Sequence, residues 1–178
     1  MVARALVTLP LAMAVLPACG TYETRPVLMK SYPGASRGEG VVCVVRTGDD
    51  ADNADSTVPV WDNGALVGAT CAASHFCYRA QAGRHVVVSE LLMTAELRID
   101  VRSEEHHWIV QEVGVSSYWY SGESDVPRRL EEWVTLREIS AVEARAPFTR
   151  TKRLQVIDVP YGETVPVGAT APALRPAD

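Results

Sequence analysis

Residues 94–102 read Thr-Ala-Glu-Leu-Arg-Ile-Asp-Val-Arg, and there Leu97, Ile99 and Val101 alternate with Glu96, Arg98, Asp100 and Arg102. Successive side chains of a strand point to opposite faces, so this period of two predicts a strand with one buried and one wet face. Just upstream, Ala82-Gly83 turns the chain and Arg84 to Leu92 carries the run Val86-Val87-Val88, a second strand. Downstream, His107 to Val113 and then Trp133-Val134-Thr135-Leu136-Arg137 read as two more.

Further out the same signals continue. Phe76, Tyr78 and Ala80 share one face of a strand that starts near His75. Val58 and Val60, the turn Asp62-Asn63-Gly64, and Ala65-Leu66-Val67-Gly68 form a hairpin, because Asn-Gly supplies the positive φ angles of a two-residue turn. Val41-Val42-Cys43-Val44-Val45, bounded by Gly40 and Gly48, is too short for a helix and predicts a central strand buried on both sides. Ser140-Ala141-Val142-Glu143 has the spacing of a capping box and starts a short helix that Pro147 is expected to interrupt. The fold class that follows is all-β: an antiparallel β-sandwich of about seven or eight short strands, with one short helix near the C-terminus.

The chain has 178 residues, enough to bury a core without disulfides, and its 17 Lys+Arg against 22 Asp+Glu give a net charge of −5. That balance excludes a nucleic-acid binder, which needs a basic surface. Residues 1–18 read as an export signal: Arg4 is the only charge, and from Ala5 to Ala18 the chain is apolar apart from Thr8. The run is shorter than the roughly 20 residues of a membrane-spanning helix. It ends in Leu16-Pro17-Ala18-Cys19-Gly20, which resembles a bacterial lipobox and implies covalent lipid on Cys19. Gly20 resembles the choice that sorts such proteins to the outer membrane, facing the periplasm. Residues 19–39, rich in Thr, Pro, Ser and Gly, are expected to be a flexible tether, 40–157 the sandwich domain, and 158–178 a disordered or draped tail.

From Gly40 to about Arg145 the order of features resembles the domain of unknown function 2846 family, small β-rich modules found behind a lipobox in Gram-negative bacteria. The matching pieces are the Val-rich strand ending in Arg46, the Val58-to-Gly68 segment with its Asp62-Asn63-Gly64 turn, His75-Phe76-Cys77-Tyr78, Ala82-Gly83-Arg84-His85-Val86 and His107-Trp108-Ile109-Val110. The resemblance implies the fold and the compartment; it implies no activity, because the family has none established.

Residues able to carry chemistry are few. Cys71 and Cys77 flank a five-residue segment that suits a hairpin loop and are the expected disulfide, with Cys43 expected as a small core residue; pairing of Cys43 with either of them stays open. His75, His85, His106 and His107 do not read as a metal site, since neighbours on a strand point apart, although His75 and Cys77 share a face. Asp49, Asp50, Asp52, Asn53 and Asp55 suggest calcium, but the loop spacing of an EF-hand fails and a solvated turn is expected. Ser74-His75, Ser89-Glu90 and Ser116-Ser117 lack a nucleophile elbow, so no catalytic residue and no cofactor beyond the lipid is expected. Tyr118-Trp119-Tyr120, set among Ser and Gly, has the composition of an adaptable contact surface.

The sequence therefore predicts a non-enzymatic lipoprotein, anchored to the membrane through Cys19, whose sandwich binds an envelope protein or polymer through Tyr118, Trp119 and Tyr120. Two alternatives are a periplasmic metal or redox module using His75, Cys71 and Cys77, and an envelope hydrolase.

Overall fold

A computed structural model describes residues 24–26, 34–48, 56–117, 130–156 and 164–165. Its elements are β1 (Thr24–Pro26), β2 (Glu39–Arg46), β3 (Val58–Asp62), β4 (Ala65–Thr70), β5 (Ser74–Gln81), β6 (Gly83–Glu90), β7 (Thr94–Val101), β8 (His106–Ser117), β9 (Leu130–Ile139), α1 (Ala141–Arg150), β10 (Lys152–Val156) and β11 (Thr164–Val165). They form two antiparallel-rich sheets and one helix, as the hydrophobic patterning predicts. The larger sheet has the order β1-β10-β5-β2-β8-β9, with β11 also paired to β5, and the smaller has the order β4-β3-β6-β7.

Alternation within β2 explains the layering. Val42 and Val44 face the small sheet, where they join Val60, Phe76, Tyr78, Val87, Ile99 and Ile109 in the main core. Val41, Cys43 and Val45 face the other way, toward Ala144 and Phe148 of α1. With apolar layers on both sides, all five residues are fully buried, which is why the strand reads as an unbroken apolar run. Full burial of one Val contributes roughly 1.5–3 kcal/mol relative to exposure, so this one strand is a major source of stability.

Strand number and direction differ from the sequence expectation. The domain has three further short strands, β1, β10 and β11, and the first and last lie in segments expected to be tether and tail. Thr24–Pro26 pairs antiparallel with Leu154–Val156, because an open strand edge accepts any extended segment brought close to it. The sheet is also not wholly antiparallel, since β8 runs parallel to β2 from Val41↔His106 to Arg46↔Gln111. The cause lies in the connection: β7 belongs to the small sheet and ends beside Gly40, so β8 starts where β2 starts, held by Glu104 N–H to Glu39 O (2.7 Å) and Val41 N–H to Glu105 O (2.9 Å).

Two local devices fix the registers. Asn63 and Gly64 take φ of 48° and 81°, the turn that the Asp62-Asn63-Gly64 sequence predicts, and Asp62 pairs with Ala65 across it. Gly68 lies under the Phe76 ring, where a Cβ would come within 2.5 Å of the ring carbons. In α1, Ser140 Oγ accepts from Glu143 N–H (3.3 Å) and Ser140 N–H donates to Glu143 Oε2 (2.8 Å), so the expected capping box is present. Pro147 does not interrupt this helix, which continues to Arg150. Phe148 is buried edge-on against Trp108 at 4.9 Å, and that packing holds the last turn against the loss of one backbone hydrogen bond.

A disulfide joins Cys43 to Cys77, which stand directly opposite each other in the β2–β5 ladder. The Cys71–Cys77 expectation is therefore corrected, as is the reading of Cys43 as an unlinked core residue. Cys71 precedes β5, and the Ser74 side chain holds it there: Oγ accepts from Cys71 N–H (2.8 Å) and donates to Cys71 O (2.7 Å). Residues 71–77 are thus a tight turn followed by strand, not a loop whose ends meet. Closing a loop of 34 residues contributes up to about 4 kcal/mol in the chain-entropy account. Replacing both cysteines by Ala is expected to lower the unfolding free energy by about 2–4 kcal/mol in denaturant titration.

Candidate functional site

The buried histidines of the sandwich lie apart from one another, each with its own neighbours. At the tip of the β3–β4 hairpin, Asp62 and His85 form an ion pair with no side-chain exposure on either partner. His85 Nδ1 lies 2.8 Å from both carboxylate oxygens, and Nε2 donates to the Gln81 carbonyl at 2.7 Å. Acceptors thus lie at both ring nitrogens, with the Asn63 amide nitrogen 3.3 Å from Nδ1 as well. Burial alone would lower the His85 pKa, but the hydrogen bond and charge of Asp62, aided by Gln81 O, lift it above the ordinary 6.5. Asn63 completes the corner, its N–H donating to Val86 O (3.0 Å) and its Oδ1 accepting from Val86 N–H (3.1 Å). Tyr78 lies beside Asp62, and burial followed by the carboxylate charge keeps its phenol protonated.

A carboxylate–imidazole pair is two thirds of a general-base triad. Here the distal nitrogen is engaged by a backbone carbonyl and no water reaches either side chain, so this pair has no route to a substrate proton. Its effect is to lock the hairpin turn to β6 and to the end of β5. Sequence reading treats Asp62 as a turn residue and His85 as the start of a strand; the signal available was that His85 shares the inward face of Val87.

His75 occupies a different environment on the helix-covered face of β5. Its Nδ1 lies 2.7 Å from Thr151 Oγ1 and its ring is 5.0 Å from that of Phe148. Burial, reinforced by the nearby Arg153 charge, lowers its pKa to about 4, so it is neutral at physiological pH. His107 accepts from Arg102 N–H at Nε2 (3.0 Å), which leaves Nδ1 to donate to Glu138 Oε1 (3.0 Å). The fourth histidine, His106, stacks at 5.7 Å on Trp108.

Between the sheets lies a polar group that sequence reading misses. Gln111, fully buried on β8, links Thr70 of β4 to Ser89 of β6, and Ser89 Oγ donates to Pro59 O (3.0 Å). Such a closed network fixes the relative register of the two sheets without offering a free donor or acceptor to a ligand. Arg46, also fully buried, donates to Ser56 O at 2.9 Å.

Of the residues expected to act, the structure keeps His75 and Cys77 on one face of β5, places Cys71 in the turn before that strand, and bonds the Cys77 sulfur to Cys43. In this oxidised form neither Cys71 nor Cys77 offers a thiolate beside His75. Among the described residues no three His, Cys, Asp or Glu side chains are grouped as a metal site requires. Cys19, Tyr118, Trp119, Tyr120 and the acidic stretch 49–55 lie outside the described residues. The chain matches no family model, no curated protein and no solved structure, so none of these comparisons supports the resemblance to the 2846 family.

The two buried histidines give opposite pH dependences. His85, raised when folded, contributes stability that is complete below pH 6.5 and drains away as pH climbs through its folded value; His75, lowered to about 4, contributes stability that is complete above 6.5 and is lost toward pH 4. Unfolding free energies measured from pH 4 to 9 are expected to show a His75→Gln chain with a flatter acid limb and an Asp62→Asn chain with a flatter alkaline limb. Asp62→Asn is also expected to lower the unfolding free energy near neutrality, since it removes the carboxylate that lies against His85 Nδ1 in a fully buried corner.

Proposed function

We propose that the chain is an exported lipoprotein, anchored through lipid on Cys19 to a bacterial envelope membrane, whose sandwich is a non-catalytic binding module. The observation that carries the reading is the Cys43–Cys77 disulfide, buried in the middle of the large sheet. A structural disulfide of this kind belongs to an oxidising compartment, which agrees with an export signal over residues 1–18. Cys19 supplies the anchor and the periplasm the working space, with the outer membrane as the site of attachment.

The geometry of β1 gives the anchor a consequence. Only four residues separate Cys19 from Thr24, so at about 3.5 Å each the domain stays within roughly 18 Å of the lipidated residue. The pairing registers make the chain enter β1 from the end of the sheet marked by Gln81, whereas β8 leaves toward the opposite end. The connection that carries Tyr118, Trp119 and Tyr120 therefore begins at the end away from the anchor, which suits contact with an envelope protein or polymer. Aromatic residues provide large contact area with little entropy lost.

The anchor is tested by the intact mass of the chain recovered from membranes, beside a Cys19→Ala version. The expected product starts at Cys19 and carries added acyl mass that Cys19→Ala lacks. One sulfur cannot hold both a thioether and a disulfide, so an unmodified chain, or one with Cys19 joined to Cys71, would overturn the anchor. Replacing Tyr118, Trp119 and Tyr120 by Ala is expected to weaken capture of an envelope component while the melting temperature stays within about 3 °C; a large loss of stability would make them core residues instead.

A further inference from the structure

The small sheet buries one face against the large sheet, while α1 packs on the far side of the large sheet. The outer face of the small sheet carries a half-buried apolar stripe: Trp61 stands opposite Leu66 on β4 and opposite Val88 on β6, with Val86 two residues away. An open sheet face normally alternates to polar residues at such positions. A central Trp among aliphatic side chains, rimmed by Arg, is instead the composition of an interface centre.

The charges around the stripe are arranged symmetrically. Outward positions read Arg84, Val86, Val88, Glu90 along β6 and Thr94, Glu96, Arg98, Asp100 along β7. The midpoint of the first series is Val87, that of the second is Leu97, and these two residues are register partners. A twofold axis laid across the face on that line sets Val86 over Val88 of a second copy, Arg84 over its Glu90, Glu96 over its Arg98 and Thr94 over its Asp100. Opposite charges meet and no like charges do. Within one copy the same ions pair only loosely at the surface, Arg98 with Glu96 at 2.8 Å and Arg84 with Asp100 at 3.8 Å, with the arginines 81% and 94% exposed. Pairs so exposed contribute little and re-pair readily.

We infer that the outer face of β4-β3-β6-β7 is the interface of an isologous dimer of this chain. The same patch meets itself about one axis, which is what a twofold dimer requires. Strands of five, six, eight and eight residues, spaced about 4.8 Å apart and rising about 3.3 Å per residue, present about 430 Å² per copy, less than the roughly 800 Å² of a standard stable interface. The dimer is accordingly weak and salt-sensitive, and confinement to one membrane would favour it by raising effective concentration. The inference does not depend on the anchor, because the face and its charges belong to the folded sandwich.

Sedimentation velocity of the full chain over a range of concentrations tests it, using surface substitutions that leave the core untouched. Wild type is expected to self-associate, while Glu96→Arg and Arg98→Glu each weaken association by at least about tenfold, since each sets like charges against one another. The double variant E96R/R98E, and an equimolar mixture of the two single variants, are expected to restore it to within about threefold. A wild-type monomer at every concentration, or single variants that associate as wild type does, would overturn the inference. So would a monomer retained on an insoluble envelope glycan in a manner abolished by Trp61→Ala, which would give the face to a polymer instead.

Discussion

β2 offers water neither of its faces, and the rest of the molecule is arranged to cover it. Val42 and Val44 require the small sheet on one side, Val41, Cys43 and Val45 require α1 on the other, and the strand's two edges require β5 and β8. The Cys43–Cys77 bond ties β2 to one of those neighbours within the helix-facing layer. Once the strand is fixed, the hairpin β3–β4 and the pair β6–β7 close over it, with the buried Gln111 and the Asp62–His85 pair setting how the two sheets register.

The patterning of single segments was legible because each obeys one period. Alternation at residues 94–102, the apolar run at Val41–Val45, the Asn63-Gly64 turn and the Ser140–Glu143 box each depend on contacts within a few residues. What was not legible depends on partners far along the chain. The parallel β2–β8 pairing follows from where β7 ends, β1 follows from an open edge that β10 presents, and α1 outlasts Pro147 because Phe148 finds Trp108. The disulfide belongs to the same class: the proximity of Cys71 and Cys77 in sequence suggested a loop, whereas the β2–β5 register places Cys43 opposite Cys77 across 34 residues.

The candidate site was less legible than the fold. Asp62 and His85 were visible as a turn residue and a strand residue, yet their pairing is a property of the assembled corner. That corner, the His75–Thr151 contact and the Gln111 network are internally complete, so the polar residues buried in this sandwich hold it together. The proposed recognition falls to surfaces: the aromatic residues that follow β8 in the sequence, and the outer face of the small sheet around Trp61. A binding module with a rigid, oxidised interior and contacts at its periphery fits an extracytoplasmic setting, where a reduced thiol pool does not challenge the disulfide.

The measurement that tests this account most directly is disulfide mapping of the unreduced chain recovered from the envelope fraction, digested so that cleavage at Phe76 separates Cys71 from Cys77. The expected result is the peptide containing Cys43 linked to the one containing Cys77. A Cys71–Cys77 link would contradict the β2–β5 register, and Cys43 and Cys77 recovered as thiols would contradict the oxidising compartment on which the proposed function rests.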